Sequence, residues 1–161
     1  PAARRAASAA DEFGALLREA ETQSPTQARD AAILRTVREL VPDEARILRR
    51  LADGAEDAVL QAYDGSDHIL VNRSNVGRNA KVHSQDLTPN YVTHLLELGL
   101  VELMPYEDKD LYEYELLESE TSARDILSHY DHRKLTKPKM VRQLLRLSDA
   151  GRKFCDVCMP E

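Results

Sequence analysis

The amino-acid sequence predicts a mostly α-helical protein with a small β-sheet, an α+β fold. Apolar residues recur at helical spacing in several segments, and proline, serine or glycine signals bound some of these segments. Other short segments have the composition or the alternation of β-strands. Hydrophobic residues make up 42% of the chain and charged residues 31%. This balance is typical of a packed core covered by much exposed helix.

The first part of the chain predicts two helices, at residues 11–21 and 27–41. The segment "TQSPTQ" separates them, and Phe13, Leu16 and Leu17 lie on the apolar stripe of the first helix. Residues 1–41 are therefore interpreted as an N-terminal helical extension. Its stripes either cover the protein's own core or pair with a second copy of the chain.

The rest of the chain, residues 42–161, is interpreted as one domain. Its first helix is predicted at 42–53, because Pro42 stands at the break, two acids suit the helix N-terminus and Gly54 is a good stop. A short helix at 56–63 and a strand in "HILVN" follow. Residues 72–86 are expected to form a long loop.

The stretch "LTPNYVTHLLELGLVELMP" predicts a helix with Thr88 as its N-cap and Pro89 as its first residue. Gly99 ends this helix and a strand begins. The segment "LYEYELLE" alternates like a second strand, so residues 101–120 predict a β-hairpin. A helix followed by such a hairpin, or wing, is typical of winged-helix domains, in which the helix lies in the DNA major groove.

The last segments predict a short helix in "TSARDILSHYD" and a basic loop in "HRKLTKPK". The segment "MVRQLLRLS" suits a strand or a helix, and a strand is favoured. A closing helix, capped by Ser148, follows in "SDAGRKFCDVC". This order of elements predicts a winged-helix-like domain with added N-terminal helices and a closing C-terminal helix.

Composition and charge argue against several classes of protein. No segment approaches the roughly 20 apolar residues of a membrane span, and the first residues lack the apolar core of a secretory signal. The two cysteines make no disulfide framework. We therefore expect a soluble cytoplasmic protein without a membrane partner. A formal net charge of −6 lowers the expectation of nucleic-acid binding.

DNA binding nevertheless has candidate residues. Asn90, Thr93 and His94 occupy outward positions of the predicted groove helix and can hydrogen-bond base edges or phosphate. Cations in the loops before and after this helix would hold phosphate if they converged. The candidate nucleic-acid-binding residues are Arg73, Arg78, Lys81, Asn90, Thr93, His94, Lys137 and Lys139.

The distribution of charge along the chain weighs against that hypothesis. Residues 101–120 hold eight acids and one base, whereas residues 124–153 hold nine bases and three acids. An acidic wing opposes the DNA backbone. We expect the basic segments to pair with the acidic one, within a chain or across a dimer, and each exposed pair to add little stability.

Two enzyme-like sites are weaker alternatives. Cys155, Cys158, His129 and His132 have the residue types of a four-ligand zinc site, although cysteines on one face of a helix more often pack inward. The segment "YDGSDH" holds two acids and a histidine, but a plain turn explains all of its residues. We therefore expect no enzyme activity, no cofactor and no bound metal.

Three segments carry a resemblance to a known family. "RTVRELVPDEARILRRLADG", "LTPNYVTHLLELGLVEL" and "LRLSDAGRKFCDVC" resemble, in that order, the motifs of the bacterial Abi-alpha (abortive infection alpha) family. The closing pattern consists of Leu147, Ser148, Gly151, Phe154 and Cys158. The likeness spans residues 16–158, implies a role in phage defence and supplies no catalytic residues.

The sequence thus predicts a non-enzymatic, winged-helix interaction protein of the Abi-alpha type. It would act through protein–protein contacts or as a homodimer. A DNA-binding transcriptional regulator is the alternative.

Overall fold

The computed structural model describes residues 8–106, 111–120, 123–128 and 138–159. The chain divides into two compact units, Pro1–Glu39 and Leu40–Glu161. Within the described ranges, no helix is long and apolar enough to cross a lipid bilayer.

The described residues of the first unit form two helices, α1 (Ala9–Ala20) and α2 (Pro25–Glu39). Ser8 caps α1, because its hydroxyl accepts from the backbone N–H of Asp11 while the Asp11 carboxylate accepts from the backbone N–H of Ser8. This capping box begins the helix two residues earlier than predicted. No residue of α1 or α2 is buried.

In the part that the structure describes, the second unit combines helices with four strands. Its described elements, in chain order, are α3 (Pro42–Ala52), β1 (Asp57–Asp64), β2 (Asp67–Ser74), α4 (Val76–Asn79), a 3₁₀ turn (Gln85–Leu87), α5 (Thr88–Glu97), β3 (Val101–Pro105), α6 (Leu111–Ser119), α7 (helical at 123–128), β4 (Lys139–Leu147) and α8 (Asp149–Cys158). The protein is therefore an α+β protein, as predicted.

The four strands form one antiparallel sheet in the order β2-β1-β4-β3. β1 pairs with its hairpin partner β2 and with the distant β4, where Asp57 lies opposite Leu145. Among the described strands β3 pairs with β4, and Val101 lies opposite Leu147. The two central strands thus come from distant parts of the chain.

Helices cover both faces of this sheet. On one face, Tyr114 and Leu117 of α6 pack with Leu60 and its neighbours on β1, in a cluster that also contains Ala123 of α7. Residues alternate between the two faces along a strand, so Asp57 and Gln61 point to the opposite face. Asp57 accepts hydrogen bonds from Arg50 of α3. Gln61 bonds Asn72 of β2, whose side chain donates to Thr93 of α5, so α3 and α5 lie on this face.

The predicted helix at 56–63 is wrong, because this segment is strand β1. Its residues 57–62 are all buried. A central strand covered on both faces shows a continuous apolar run instead of alternation. The run Ala58, Val59, Leu60 therefore suited a helix as well as a strand at the level of sequence.

The predicted hairpin across residues 101–120 is also wrong. The segment "LYEYELLE" forms helix α6, in which the buried Tyr114 and Leu117 lie three residues apart. β3 finds its antiparallel partner in β4 instead. The winged-helix interpretation loses its predicted wing and stays a prediction.

Other predicted elements need smaller changes. The expected loop at 72–86 holds the end of β2, helix α4 and a 3₁₀ turn. Thr88 is the first residue of α5 and its hydroxyl donates to the Gln85 carbonyl oxygen, so it is not the N-cap. The predicted strands in "HILVN", "LVELM" and "MVRQLLRLS" are confirmed as β2, β3 and β4, and Ser148 caps α8.

Candidate functional site

The polar side of α5 is engaged mostly within the protein. Thr93 Oγ1 accepts a hydrogen bond from Asn72 Nδ2 at 2.9 Å, and His94 Nδ1 lies 2.6 Å from Glu44 Oε1. Asn90 is exposed. Two of the three predicted DNA-recognition residues, Thr93 and His94, therefore help to attach α5 to β2 and α3.

The candidate phosphate-binding arginines of the 72–86 segment face an acid. Arg73 Nη1 lies 4.0 Å and Arg78 Nη2 3.5 Å from the Glu120 carboxylate. The three side chains line a cavity of about 210 Å³ that also borders Pro89 at the start of α5. The structure therefore brings both arginines beside α5, and places an opposite charge between them.

The other candidate cations lie apart from this cavity. Lys81 follows α4 and lines a separate cleft between α3 and α4. Lys139 is the first residue of β4. Lys137 and most of the predicted basic loop lie outside the described residues.

Acid–base pairing between the two oppositely charged segments is present within one chain. Arg142 Nη2 lies 2.9 Å from Glu118 Oε1, and Arg146 Nε lies 2.7 Å from Glu102 Oε1. All four side chains are about one-third exposed. Such pairs orient β4 against α6 and β3 and contribute less than about 1 kcal/mol each.

A larger cleft, about 840 Å³ in volume, lies between α3 and α4. Four cations and one acid line it. Its full lining is Pro42, Ala45, Arg46, Arg49, Arg50, Asp53, Ala55, Asn79, Ala80 and Lys81. Of these cations, only Lys81 was among the predicted candidate residues. The signal was available, since the three arginines stand at i, i+3 and i+4 and share one side of α3.

Buried carboxylates fix the walls of this α3–α4 cleft. Asp57 on β1 accepts from Arg50 Nε and Nη2 at 2.7 and 3.0 Å, and from Asn79 Nδ2 of α4 at 2.7 Å. The Asp57 hydrogen bonds raise the pKa of Arg50 above its ordinary value. One carboxylate thus ties α3 and α4 to the sheet.

Asp43, at the start of α3, holds the segment that follows Lys81. The backbone N–H groups of His83 and Ser84 donate to its carboxylate at 2.9 and 3.0 Å, and the Tyr91 hydroxyl donates at 3.1 Å. The His83 hydrogen bond, followed by that of Ser84, holds the pKa of Asp43 below its ordinary value. The residues after α4 are therefore anchored on α3.

The two enzyme-like alternatives were a Cys–His zinc site and a catalytic cluster in "YDGSDH". Cys155 is buried, and burial raises the pKa of its thiol to about 11, whereas Cys158 is exposed. The expected inward packing of both cysteines therefore holds for Cys155 alone. His129 and His132 lie outside the described residues, so the zinc hypothesis stays untested. The segment "YDGSDH" forms the turn of the β1–β2 hairpin, and His68 stacks on Tyr63 with ring centroids 4.3 Å apart.

The first unit presents apolar side chains to solvent. Phe13 and Leu16 of α1 are each 62% exposed, and Leu17 is also exposed. Leu34 and Val37, three residues apart on α2, are exposed as well. A stripe of this kind is a feature of interaction surfaces.

The fold defines the class of the protein, an α+β protein with a four-stranded antiparallel sheet between layers of helices. The chain belongs to the abortive infection alpha family, which matches residues 3–158. It is also similar to the solved structure of an uncharacterised protein from the hydrocarbon-degrading marine bacterium Alcanivorax borkumensis SK2. That similarity has a TM-score of 0.70 and 31% sequence identity, and covers 84% of this chain and 98% of the other. No curated protein matches the chain.

Proposed function

We propose that this chain is a non-enzymatic interaction protein of phage defence, which self-associates through its N-terminal helices. The family's name, abortive infection alpha, supports the role in defence. The observation that carries the self-association is the exposed apolar surface of α1 and α2, neither of which buries a residue.

The spacing of these side chains suits helix-to-helix packing. Phe13, Leu16 and Leu17 stand three and four residues apart, so they lie on one side of α1. Leu34 and Val37 do the same on α2. Removing such side chains from water contributes about 1.5–3 kcal/mol each, which is a strong drive for association.

The charges of the two helices favour a second copy of the chain as the partner. Helix α1 carries three acids and one base, a net −2, and α2 carries three bases and two acids, a net +1. Helix α1 of one copy therefore suits α2 of another. A two-fold symmetric dimer uses that contact twice.

Light scattering on the purified chain tests the dimer. We expect a mass of twice 18.2 kDa, and a monomer mass for Leu16→Glu because a buried charge opposes the contact. Leu87→Glu, at an exposed leucine of the second unit, is the matched control and keeps the dimer. A wild-type chain that stays monomeric at tens of micromolar would contradict the proposal.

A challenge experiment tests the role in defence. Bacteria that express the chain are expected to form fewer phage plaques than cells carrying an empty vector, and Leu16→Glu is expected to restore the plaque count. An unchanged plaque count across a panel of phages would contradict the role in defence, and the dimer proposal would be unaffected.

The second candidate function is a DNA-binding regulator. It is favoured by the position of Arg73 and Arg78, which line one cavity with Pro89 of α5. Glu120→Gln removes the competing acid, so this function predicts a tighter gel shift on duplex DNA for that variant and a weaker one for Arg78→Gln. If neither the wild-type protein nor Glu120→Gln shifts duplex DNA at low salt, the DNA-binding function is excluded.

A further inference from the structure

We propose that the α3–α4 cleft is a binding site for a phosphate-bearing ligand. The cleft concentrates positive charge in a chain whose formal net charge is −6. Its lining carries Arg46, Arg49, Arg50 and Lys81 against Asp53, a net +3, of which Asp57 offsets one charge by pairing with Arg50. A pocket lined by one sign of charge raises the local concentration of ligands of the opposite sign.

The two acids of α3 are engaged with other groups of the protein. Asp43 and Glu44 are buried and occupied by His83, Ser84, Tyr91 and His94. Asp57 is occupied by Arg50 and Asn79. The carboxylates near the cleft are thus committed to holding its walls, and the outward surface of α3 is left to the arginines.

Arg49 and Lys81 are the cations most available to a ligand. Both are exposed, and neither forms an ion pair with another described residue. Arg46 is also exposed but contacts His83 at 3.1 Å and Asp43 at 4.0 Å. An Arg on one wall and a Lys on the other suit the several oxygens of a phosphate group.

Lys81 stands in a backbone position that favours glycine. Its φ is +57°, and the Val82 N–H donates to the Gly77 carbonyl while the Lys81 N–H donates to that of Arg78. These two bonds define a helix C-terminal motif whose left-handed residue is usually glycine. A lysine there carries a backbone cost, and such costs concentrate at functional sites. The cleft supplies a function for its side chain.

The remaining lining narrows the class of ligand. A volume of about 840 Å³ lies within the range of small-molecule sites. The apolar lining consists of Pro42, Ala45, Ala55 and Ala80, and none of the described lining residues is an aromatic that could stack on a base. We therefore expect the cleft to recognise the phosphate groups of its ligand. Such groups occur in free polyphosphate, in nucleotides and in a nucleic-acid backbone.

Calorimetric titration at about 50 mM salt tests the site with three separate probes: tripolyphosphate, ATP and a single-stranded DNA 20-mer. Wild-type protein is expected to bind tripolyphosphate, and the double variant Arg49→Gln/Lys81→Gly to bind at least about tenfold more weakly. The control Arg152→Gln/Lys153→Gln changes the net charge equally on α8 and is expected to lose less than about twofold. Tighter binding of the 20-mer than of tripolyphosphate and ATP would support the site and assign it to the nucleic-acid backbone.

The single variant Lys81→Gly adds a second readout. Glycine relieves the left-handed backbone, so the melting temperature is expected to rise while phosphate binding weakens. If Lys81 had only a structural role, the variant would not combine a higher melting temperature with weaker phosphate binding. The proposal is overturned if wild-type protein binds none of the three probes, or if the cleft and control doubles lose equal affinity.

Discussion

Gly151 shows how one residue sets the approach of α8 to the sheet. A Cβ built on it would lie 1.8 Å from the backbone oxygen of Leu100, and that oxygen already accepts from the Ser148 N–H. Gly151→Ala is therefore expected to lower the free energy of unfolding by about 2–3 kcal/mol, as measured by urea denaturation. Alanine in a helix would otherwise stabilise by up to about 1 kcal/mol. Gly14→Ala, where the nearest atom is an arginine tip at 3.5 Å, is the control and should not destabilise.

Asp43 makes the stability of the protein depend on acid pH. Its folded pKa is below the ordinary value of 3.8, so the unfolded chain takes up a proton first. The carboxylate therefore stabilises the fold above about pH 4, and this contribution is lost as pH falls through the lower, folded pKa. Urea midpoints measured from pH 6 down to about pH 2 should fall less steeply for Asp43→Asn than for wild type. An identical slope would contradict this role, and the exposed Asp53→Asn is the control.

At the scale of elements, α6 offers the sharpest test of the fold. Tyr114 is fully buried and its ring meets that of Tyr106 edge-on, with centroids 4.8 Å apart, whereas Tyr112 is 69% exposed. We expect Tyr114→Ala to cost about 3–5 kcal/mol of unfolding free energy and Tyr112→Ala less than about 0.5 kcal/mol. In a strand, residues two apart share a face, so comparable losses in both variants would favour the hairpin over the helix.

The errors in element prediction have a common cause. The segment "LYEYELLE" has only eight residues, and besides its alternation it places apolar side chains three residues apart, at Tyr114 and Leu117, as a helix requires. β1 fails in the opposite way, because a strand covered on both faces loses its alternation. Helices with strong terminal signals, such as α3 and α8, were predicted well since proline, serine and glycine act locally. The secondary structure of β1 and α6 depends on which residues the tertiary fold buries, and a local sequence pattern does not contain that information.

At the scale of the whole molecule, the sequence predicted which segments carry each sign of charge, but not where the charged residues meet in the fold. The excess of acid at 101–120 and of base at 124–153 indicated mutual pairing, and Arg142–Glu118 is such a pair. The arginines on one side of α3 were visible in the sequence, but the α3–α4 cleft was missed because Arg49 and Lys81 come from separate parts of the chain that only the fold brings together. Lys81 itself was among the candidates, but for a site beside α5.

The division of the chain into two units predicts that they separate in function. The core of the second unit is supplied by residues after Leu40. A chain of residues 40–161 is therefore expected to keep a cooperative urea transition and its far-ultraviolet circular dichroism per residue of that unit. By light scattering it should be monomeric, because the apolar stripes of α1 and α2 are gone. A truncated chain that still dimerises would place the contact in the second unit.

The strand order β2-β1-β4-β3 also constrains how the protein emerges from the ribosome. The β1–β2 hairpin is complete after residue 74, yet one edge of β1 waits for β4, which ends at Leu147. Synthesis at about 5–20 residues per second leaves that edge uncovered for several seconds. Exposed strand edges invite pairing with other chains. The protein is thus most vulnerable to aggregation while it is being made, and a late stop codon before β4 would leave it in that state.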